Sequence, residues 1–303
     1  MDHIDFHIHL YPPEIVRDAE KISESEPYFD ALTHNSVHKW GTIDDLLPRM
    51  ERDGVERAVV GGFAFRDMGL CRFCNDYIID CVKRYPEKLD GMCLVPPLAR
   101  GFDGEILRCA EAGLIGAGEF FPEGQGIDIA DASQTWRLAG VLQEANLCVQ
   151  WHTAEPVGHS YAGKGSVGPR EAALFCMHHP EVRVIFAHLG GGLWLYELMP
   201  EMKLYLSNAY YDLAALPWLY EPAILKSIEA TGVADKFLMG TDFPILDSLR
   251  YKKAIEMSGI SRETIEKINR ANAISLLKDL RSNSGGHSPF SPGLAPLNPL
   301  IFP

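Results

Sequence analysis

Eight short apolar runs alternate with amphipathic segments along this 303-residue chain, and this alternation limits its fold more than any other feature. Short apolar runs bounded by turn residues are typical of buried strands, and the segments between them have helical periodicity. The pattern predicts a single-domain (β/α)8 TIM barrel rather than a doubly wound sheet, which usually has fewer strands and a glycine-rich first turn. The runs cover residues 3–10, 56–63, 89–97, 114–122, 147–155, 182–191, 204–212 and 236–244.

Two segments depart from the alternation. The first connection, residues 11–55, is long and polar, and we expect it to cover a functional site rather than form a separate domain. The barrel is expected to span residues 1–281. The tail, residues 282–303, is rich in Ser, Gly and Pro, so we expect it to be disordered or loosely docked.

Charge and composition exclude several classes of protein. The formal net charge of −13 argues against a nucleic-acid partner, which needs a basic surface. No stretch is apolar for long enough to cross a membrane, and the N-terminus does not read as a signal peptide. The seven cysteines are odd in number and lie mostly in apolar segments, which predicts buried thiols and a cytoplasmic protein.

Metal-capable side chains follow five of the predicted strands. In a barrel, functional residues gather at the carboxyl ends of the strands. A buried core histidine would explain any one of these positions, but their repetition at equivalent places favours a metal site. The residues are His7 and His9 on the first strand, Glu119 on the fourth, His152 on the fifth, His188 on the sixth and Asp242 on the eighth.

The segments DFHIHL, WHT, FAHLGG and GTDFP, in this order, resemble the amidohydrolase superfamily. More narrowly, the chain resembles the amidohydrolase-related branch that includes aminocarboxymuconate-semialdehyde decarboxylase and related hydrolases, over residues 2–280. The resemblance implies that His7, His9, His152 and Asp242 bind metal and that Asp242 also shuttles a proton. His188 matches a sixth-strand histidine of the superfamily. In one-metal members this histidine acts as an acid/base or stabilises an oxyanion, and in two-metal members it binds the second ion.

Glu119 departs from the fourth-strand lysine that bridges two ions in many relatives. A glutamate bridge stays open, but the simplest interpretation is one ion, with Glu119 as a substrate contact or conditional ligand. Three imidazoles and one carboxylate suit Zn²⁺ best, with Mn²⁺ or another divalent ion as the less favoured occupant. Such an ion lowers the pKa of a bound water, whose proton Asp242 accepts while His188 polarises the substrate.

Further residues near the strand ends are candidates for substrate binding. A long glycine-rich loop follows the fifth strand and would overhang the site, although each of its side chains also fits a solvated surface loop. Trp194 would lie under an aromatic substrate or pack between a helix and the barrel. The full set is Arg66, Glu119, His159, Tyr161, Lys164 and Trp194.

Several functions fit these residues. The leading hypothesis is a metal-dependent hydrolase acting on a C–O or C–N bond of a small carboxylated substrate. The alternative is a non-oxidative decarboxylase of an unsaturated or aromatic acid that uses the same site. A metal-free lactonase and a barrel without catalysis are less favoured. The resemblance also suggests a homodimer.

Overall fold

The parallel sheet of this protein closes into a barrel. The structure, a computed structural model, describes residues 2–282. Within them, the strands pair in chain order from the first to the eighth, all in parallel. The predicted (β/α)8 barrel is confirmed. The strands are β1 His3–His9, β2 Val55–Gly61, β3 Leu89–Cys93, β4 Gly116–Phe120, β5 Cys148–Trp151, β6 Val184–Phe186, β7 Ala209–Asp212 and β8 Phe237–Leu238.

Backbone hydrogen bonds join β1 to the chain around and after β8. The amide of Phe6 donates to the carbonyl of Met239 at 2.8 Å, and the amide of Asp242 donates to the carbonyl of His7 at 3.0 Å. Because these bonds tie the last strand to the first, Asp242 is fixed beside the first-strand histidines.

Helices fill the connections between the strands. Their ends follow local rules: Thr42 and Asp45 form a capping box at the start of the fourth helix, which ends at left-handed Gly54. The helices are α1 Pro13–Arg17, α2 Ala19–Ser23, α3 Pro27–Thr33, α4 Ile43–Asp53, α5 Met68–Arg84, α6 Phe102–Glu111, α7 Pro122–Gln125, α8 Ala132–Glu144, α9 Pro169–His178, α10 Pro200–Tyr205, α11 Leu216–Leu219, α12 Ala223–Thr231, α13 Ser248–Ser258, α14 Arg262–Glu266 and α15 Asn272–Ser282. Short 3₁₀ segments span His188–Leu198 and Ala234–Lys236, and a π turn spans Lys267–Ala271.

One apolar layer gathers side chains from around the barrel and packs against the last helix. It contains Ile4, Val59 and Met92 from the first three strands, and Leu276 and Leu277 from α15. Burial of this layer explains why the chain needs a closing helix.

The sequence also made predictions about membrane spans and about the C-terminal tail. Among the helices in residues 2–282, none has the length and apolar content needed to cross a bilayer. The predicted tail lies, beyond Ser282, outside the described residues, so the division into barrel and tail stays a prediction.

Candidate metal and substrate site

The polar side chains of β1 meet those of β4 and of the loop after β8 at the carboxyl end of the barrel. The Nε2 atoms of His7 and His9 lie 3.2 Å apart. Oδ1 of Asp242 lies 3.6 and 3.5 Å from them, and Oε2 of Glu119 lies 3.4 and 3.5 Å from them. All four side chains are buried. Two imidazole nitrogens that face each other between carboxylates fit a divalent cation by donor type and arrangement.

A second group of donors lies on the other side of Glu119. Its Oε1 atom is 3.0 Å from Nδ1 of His152 and 3.4 Å from Nε2 of His188. The donor atoms therefore form two groups of three, each within 4.8 Å: one of His7, His9 and Asp242, the other of Glu119, His152 and His188. The sequence predicts His152 as a ligand of the same ion as His7 and His9. That assignment stays a prediction, because His152 lies in the other group.

Carbonyl groups fix the orientation of three imidazole rings. Nδ1 of His9 lies 3.2 Å from the carbonyl of Gly62, and Nδ1 of His188 lies 3.1 Å from the carbonyl of Ala214. A carbonyl only accepts, so each Nδ1 carries a proton and each Nε2 faces the site. His152 is reversed, since its Nε2 lies 3.2 Å from the carbonyl of Lys164 and its Nδ1 faces Glu119.

Two buried polar residues that sequence reasoning did not single out lie behind His7. Asp212, the last residue of β7, places Oδ2 2.9 Å from Nδ1 of His7. Gln150 on β5 donates to the same oxygen at 2.8 Å. A signal for Asp212 was present in the sequence, since it is a strand-end carboxylate like Asp242. Asp5, on β1, accepts from the backbone amides of His7 and Thr241.

The carboxylates and imidazoles shift one another's pKa values. Burial alone would lower the pKa of His9, but the Asp242 and Glu119 carboxylates outweigh it and raise that pKa to about 9. Burial likewise opposes the rise of the pKa of His7, which Asp212 and Glu119 hold well above its usual value. Against burial, the imidazoles lower the pKa of Asp242 to about 2 and that of Glu119 well below its usual range.

His188 combines a raised pKa with a position at the wall of a cavity. Burial opposes the rise, but Glu119 and Asp242 favour the charged imidazole and raise the pKa of His188. The ring lies at the wall of the cavity described next. Because Nδ1 is committed to the carbonyl of Ala214, Nε2 is the atom that exchanges a proton on the side of the site.

A cavity of about 460 Å³ opens directly above the donor atoms. Its wall includes several aromatic rings, and none of the described residues that line it is lysine or arginine. Part of the wall comes from the first long connection, as predicted. The lining residues are His9, Tyr11, Leu32, Asn35, Val37, His38, Phe63, Glu119, Phe121, His152, His159, Tyr161, Ala162, Gly163, His188, Ala215, Trp218, Leu219, Asp242 and Ile245.

The predicted substrate-binding residues divide into two groups. Glu119, His159 and Tyr161 line the cavity, and their contact with a substrate stays a prediction. Arg66 does not: it is exposed and lines a separate surface groove with Arg17 and other residues of the first connection.

Lys164 and Trp194 also lie outside the cavity wall. Nζ of Lys164 donates to the carbonyls of Val157 and His159, at 2.6 and 3.2 Å, so the ammonium binds the backbone of its own loop. Trp194 is 1% exposed and packs edge-on against Phe237, with ring centroids 5.9 Å apart. This burial supports the packing interpretation of Trp194, and its contact with a substrate stays a prediction without support from the cavity wall.

His38 is a cavity residue whose role sequence reasoning left unassigned. Its ring packs at 81° against Trp40, with centroids 4.4 Å apart. Burial, with a smaller contribution from His9, lowers the pKa of His38 to about 4, so the ring is neutral at pH 7.

The chain belongs to the amidohydrolase family, whose sequence model matches residues 4–278. None of the curated proteins compared with the chain matches it.

Solved structures share its fold at low sequence identity. The 2,6-dihydroxybenzoate decarboxylase from Rhizobium has a TM-score of 0.68 at 18% identity, covering 92% of this chain and 99% of that one. The 5-carboxyvanillate decarboxylase from Novosphingobium aromaticivorans, complexed with manganese and 4-hydroxy-3-methoxy-5-nitrobenzoic acid, has a TM-score of 0.71 at 17% identity, covering 91% and 96%. A probable 2-pyrone-4,6-dicarboxylic acid hydrolase from Acinetobacter baumannii, with citric acid bound, has a TM-score of 0.60 at 14% identity, covering 91% and 99%.

Proposed function

We propose that this protein is a metal-dependent, non-oxidative decarboxylase of an aromatic or unsaturated carboxylic acid. The observation that carries the proposal is the cavity, which is walled by the rings of Tyr11, Phe63, Phe121 and Trp218 and ends on the donor cluster. Its volume suits a small ligand, and aromatic walls favour a flat, unsaturated one.

The structural neighbours support this reaction over the hydrolysis that the sequence analysis placed first. Two of the three are decarboxylases of substituted benzoic acids by name, and one of these is complexed with manganese. At their level of identity the likeness establishes the fold alone, so the reaction comes to this chain as a proposal. Hydrolysis of a C–O or C–N bond stays the second candidate, favoured by the likeness to the pyrone-dicarboxylic acid hydrolase.

We propose one divalent ion, held by His7, His9 and Asp242, with His152 as the predicted further ligand and Glu119 as a conditional one. The donor chemistry suits Zn²⁺ or Mn²⁺, since imidazole and carboxylate serve both. The second donor group leaves a two-ion arrangement bridged by Glu119 as the alternative. Metal analysis of protein purified without chelators separates them, because one ion per chain agrees with the proposal and two ions contradict it.

In the proposed reaction the carbon–carbon bond to the carboxyl group breaks, carbon dioxide leaves and the electron pair stays on the ring carbon. A bound divalent ion would supply the positive charge that binds and orients the substrate carboxylate. The aromatic walls hold the ring, and His188 delivers a proton from Nε2 to the ring carbon. Asp242 and Glu119 both line the cavity, but the Asp242 side chain is 12% exposed and that of Glu119 only 1%. Asp242 is therefore the carboxylate better placed to exchange a proton with a bound substrate.

The test is product analysis with the metal-loaded enzyme. A panel of hydroxybenzoic and unsaturated acids labelled with ¹³C at the carboxyl carbon is incubated with the protein, and release of labelled carbon dioxide is followed by NMR. Turnover that requires metal and disappears in Asp242→Asn supports the proposal. Ring-opened or hydrolysed products from a parallel panel of lactones and amides, without carbon dioxide release, would establish the hydrolase instead.

Assembly and location complete the proposal. The seven cysteines are free and buried, which supports the predicted cytoplasmic location. The homodimer suggested by the resemblance stays a proposal. It is supported by the exposed side chains of Leu195, Leu198 and Leu204, which follow β6. Light scattering coupled to size-exclusion chromatography measures the mass directly.

A further inference from the structure

Asp212 is a fully buried carboxylate that touches both halves of the site. It ends β7 and is 0% exposed. Its Oδ2 atom lies 2.9 Å from Nδ1 of His7 and accepts from Nε2 of Gln150 at 2.8 Å. Its Oδ1 atom accepts from the backbone amides of His188 at 3.1 Å and Ala214 at 2.9 Å. A buried carboxylate with this many partners is held in a single orientation.

The contact with His7 decides which ring nitrogen faces the site. An ionised carboxylate only accepts, so Nδ1 of His7 must carry a proton and donate it to Oδ2. When the ring gives up its second proton to a metal ion, the lone pair is therefore exposed on Nε2, the atom that lies 3.2 Å from Nε2 of His9. Gln150 also approaches Nδ1 of His7, at 3.1 Å, but a neutral amide competes poorly with a charged acceptor.

The contact with His188 fixes a strained part of the backbone. His188 has φ of +55° and Leu189 has φ of +58°, in the left-handed region that residues with a Cβ atom rarely adopt. The amide of His188 is bound by Oδ1 of Asp212, while its ring is bound through Nδ1 to the carbonyl of Ala214. Asp212 also accepts from the amide of Ala214, so one carboxylate oxygen binds both His188 and the residue whose carbonyl holds the His188 ring.

The chain after β8 packs closely against both His7 and Asp212. A Cβ atom on Gly240 would lie 2.9 Å from Cβ of His7 and 3.3 Å from Cβ of Asp212. Glycine at this position therefore lets the chain after β8 approach both residues, and the three backbones fix the distance between the carboxylate and the ring.

We propose that Asp212 is a positioning residue that presets His7 as an Nε2 metal ligand and, through its other oxygen, fixes the backbone of His188 so that its ring faces the site. The inference rests on the proposed function, because it assigns to one side chain the preparation of both the ligand and the proton donor. Partners of this kind, behind a ligating imidazole, orient it and raise its basicity.

Asp212→Asn tests the proposal because it keeps size and removes the acceptor. The oxygen of asparagine continues to accept from the two backbone amides, so its NH₂ group faces Nδ1 of His7 and Gln150 can turn its own amide to match. His7 must then accept at Nδ1 and carry its proton on Nε2, where the metal is expected. Asp212→Asn should raise the dissociation constant for Zn²⁺ by about 10- to 100-fold, measured by competition with a chromophoric chelator.

The matched control is Glu105→Gln on α6. Glu105 is also a buried carboxylate, 2% exposed, and it accepts from Asn75 at 2.8 Å and Arg108 at 2.7 Å. This variant should keep the wild-type affinity. Circular dichroism of each metal-free variant reports its folding. A folded Asp212→Asn protein that binds Zn²⁺ as tightly as the wild type overturns the proposal.

A measurement on the wild-type protein covers the case in which Asp212→Asn does not fold. In zinc-loaded protein with ¹⁵N-labelled histidine rings, long-range ¹H–¹⁵N spectra identify the protonated nitrogen of each imidazole. The His7 signal, assigned by its loss in His7→Gln, should show the proton on Nδ1. A proton on Nε2 overturns the inference while leaving the proposed function in place. Wild-type protein that binds no divalent ion removes the proposed function, and the inference with it.

Discussion

Binding of a divalent ion to the metal-free protein should release protons, because the ligand imidazoles are largely protonated at neutral pH. The pKa of His9 is about 9, since its carboxylate neighbours outweigh burial, and the pKa of His7 is also raised well above its usual value. A metal binds only the unprotonated nitrogen, so each of these protons must leave before the ion is held.

The size of the effect follows from the shift of His9. A pKa of about 9 lies about two units above pH 7, so only about one metal-free molecule in 100 has this ring ready to bind. The apparent affinity at pH 7 is therefore about 100-fold, or about 2.7 kcal/mol, below its value at high pH, and His7 adds to this penalty. The affinity should rise steeply between pH 7 and pH 9.

Isothermal titration calorimetry in buffers of different ionisation enthalpy counts the protons. At pH 7 we expect at least one proton released for each ion bound, and a count that falls as the pH passes 9. His38→Ala is the control, since the pKa of His38 is about 4 and its ring has no proton to lose at pH 7. Binding at pH 7 with no proton release would refute the electrostatic account of the site.

Three further predictions follow. The raised pKa of His9 stabilises the metal-free fold fully below pH 6.5, and this contribution, up to about 3 kcal/mol, is lost as the pH rises through 9; urea unfolding measures it. Asp242→Asn should stay folded and lose turnover, and retained turnover would reject the mechanism. Trp218→Ala should raise KM about 2- to 10-fold. Trp136→Ala, which changes another exposed tryptophan outside the cavity wall, should leave KM unchanged in steady-state assays.

The fold could be predicted because each strand carries its own local signal. Each of the eight apolar runs overlaps one strand, and every strand is shorter than its run. The seventh run shows the limit of this reasoning: it begins at 204, but β7 begins at Ala209, because Leu204 and Tyr205 end the helix α10. An apolar run does not distinguish the last turn of a helix from the strand that follows it.

The donor residues could be predicted because barrel topology brings strand ends together whatever their separation in sequence. The division of these donors into two groups of three could not be predicted from the sequence. Glu119 lies between His7 and His152 only because its two oxygens face opposite ways, and no spacing in the sequence encodes the direction of a carboxylate. Asp212 carried the same strand-end signal as Asp242, but its contact with the ring of His7 is visible only in the structure.

The predicted substrate contacts that lie outside the cavity wall depended on the direction of a side chain beyond the end of a strand. Trp194 follows a series of left-handed residues from Leu189 to Gly192, which turn the chain and bury the ring against Phe237. The cavity instead takes His38 and Asn35 from the first connection. The length of that connection predicted a cover, but not which of its side chains would face the site.

The charges of the site favour a substrate with a single carboxylate. The described ion pairs of Glu119 and Asp242 are all with histidines, and no described residue of the cavity wall is lysine or arginine. The buried carboxylates are therefore balanced by protons on the imidazoles in the metal-free protein and by the ion once it replaces those protons. One substrate carboxylate finds its partner at the ion. A second carboxylate would lie against aromatic rings with no lysine or arginine beside it, and the imidazole of His188 in the wall is already paired with Glu119. We therefore expect aromatic acids with one carboxylate to be turned over in preference to dicarboxylic acids of the same size.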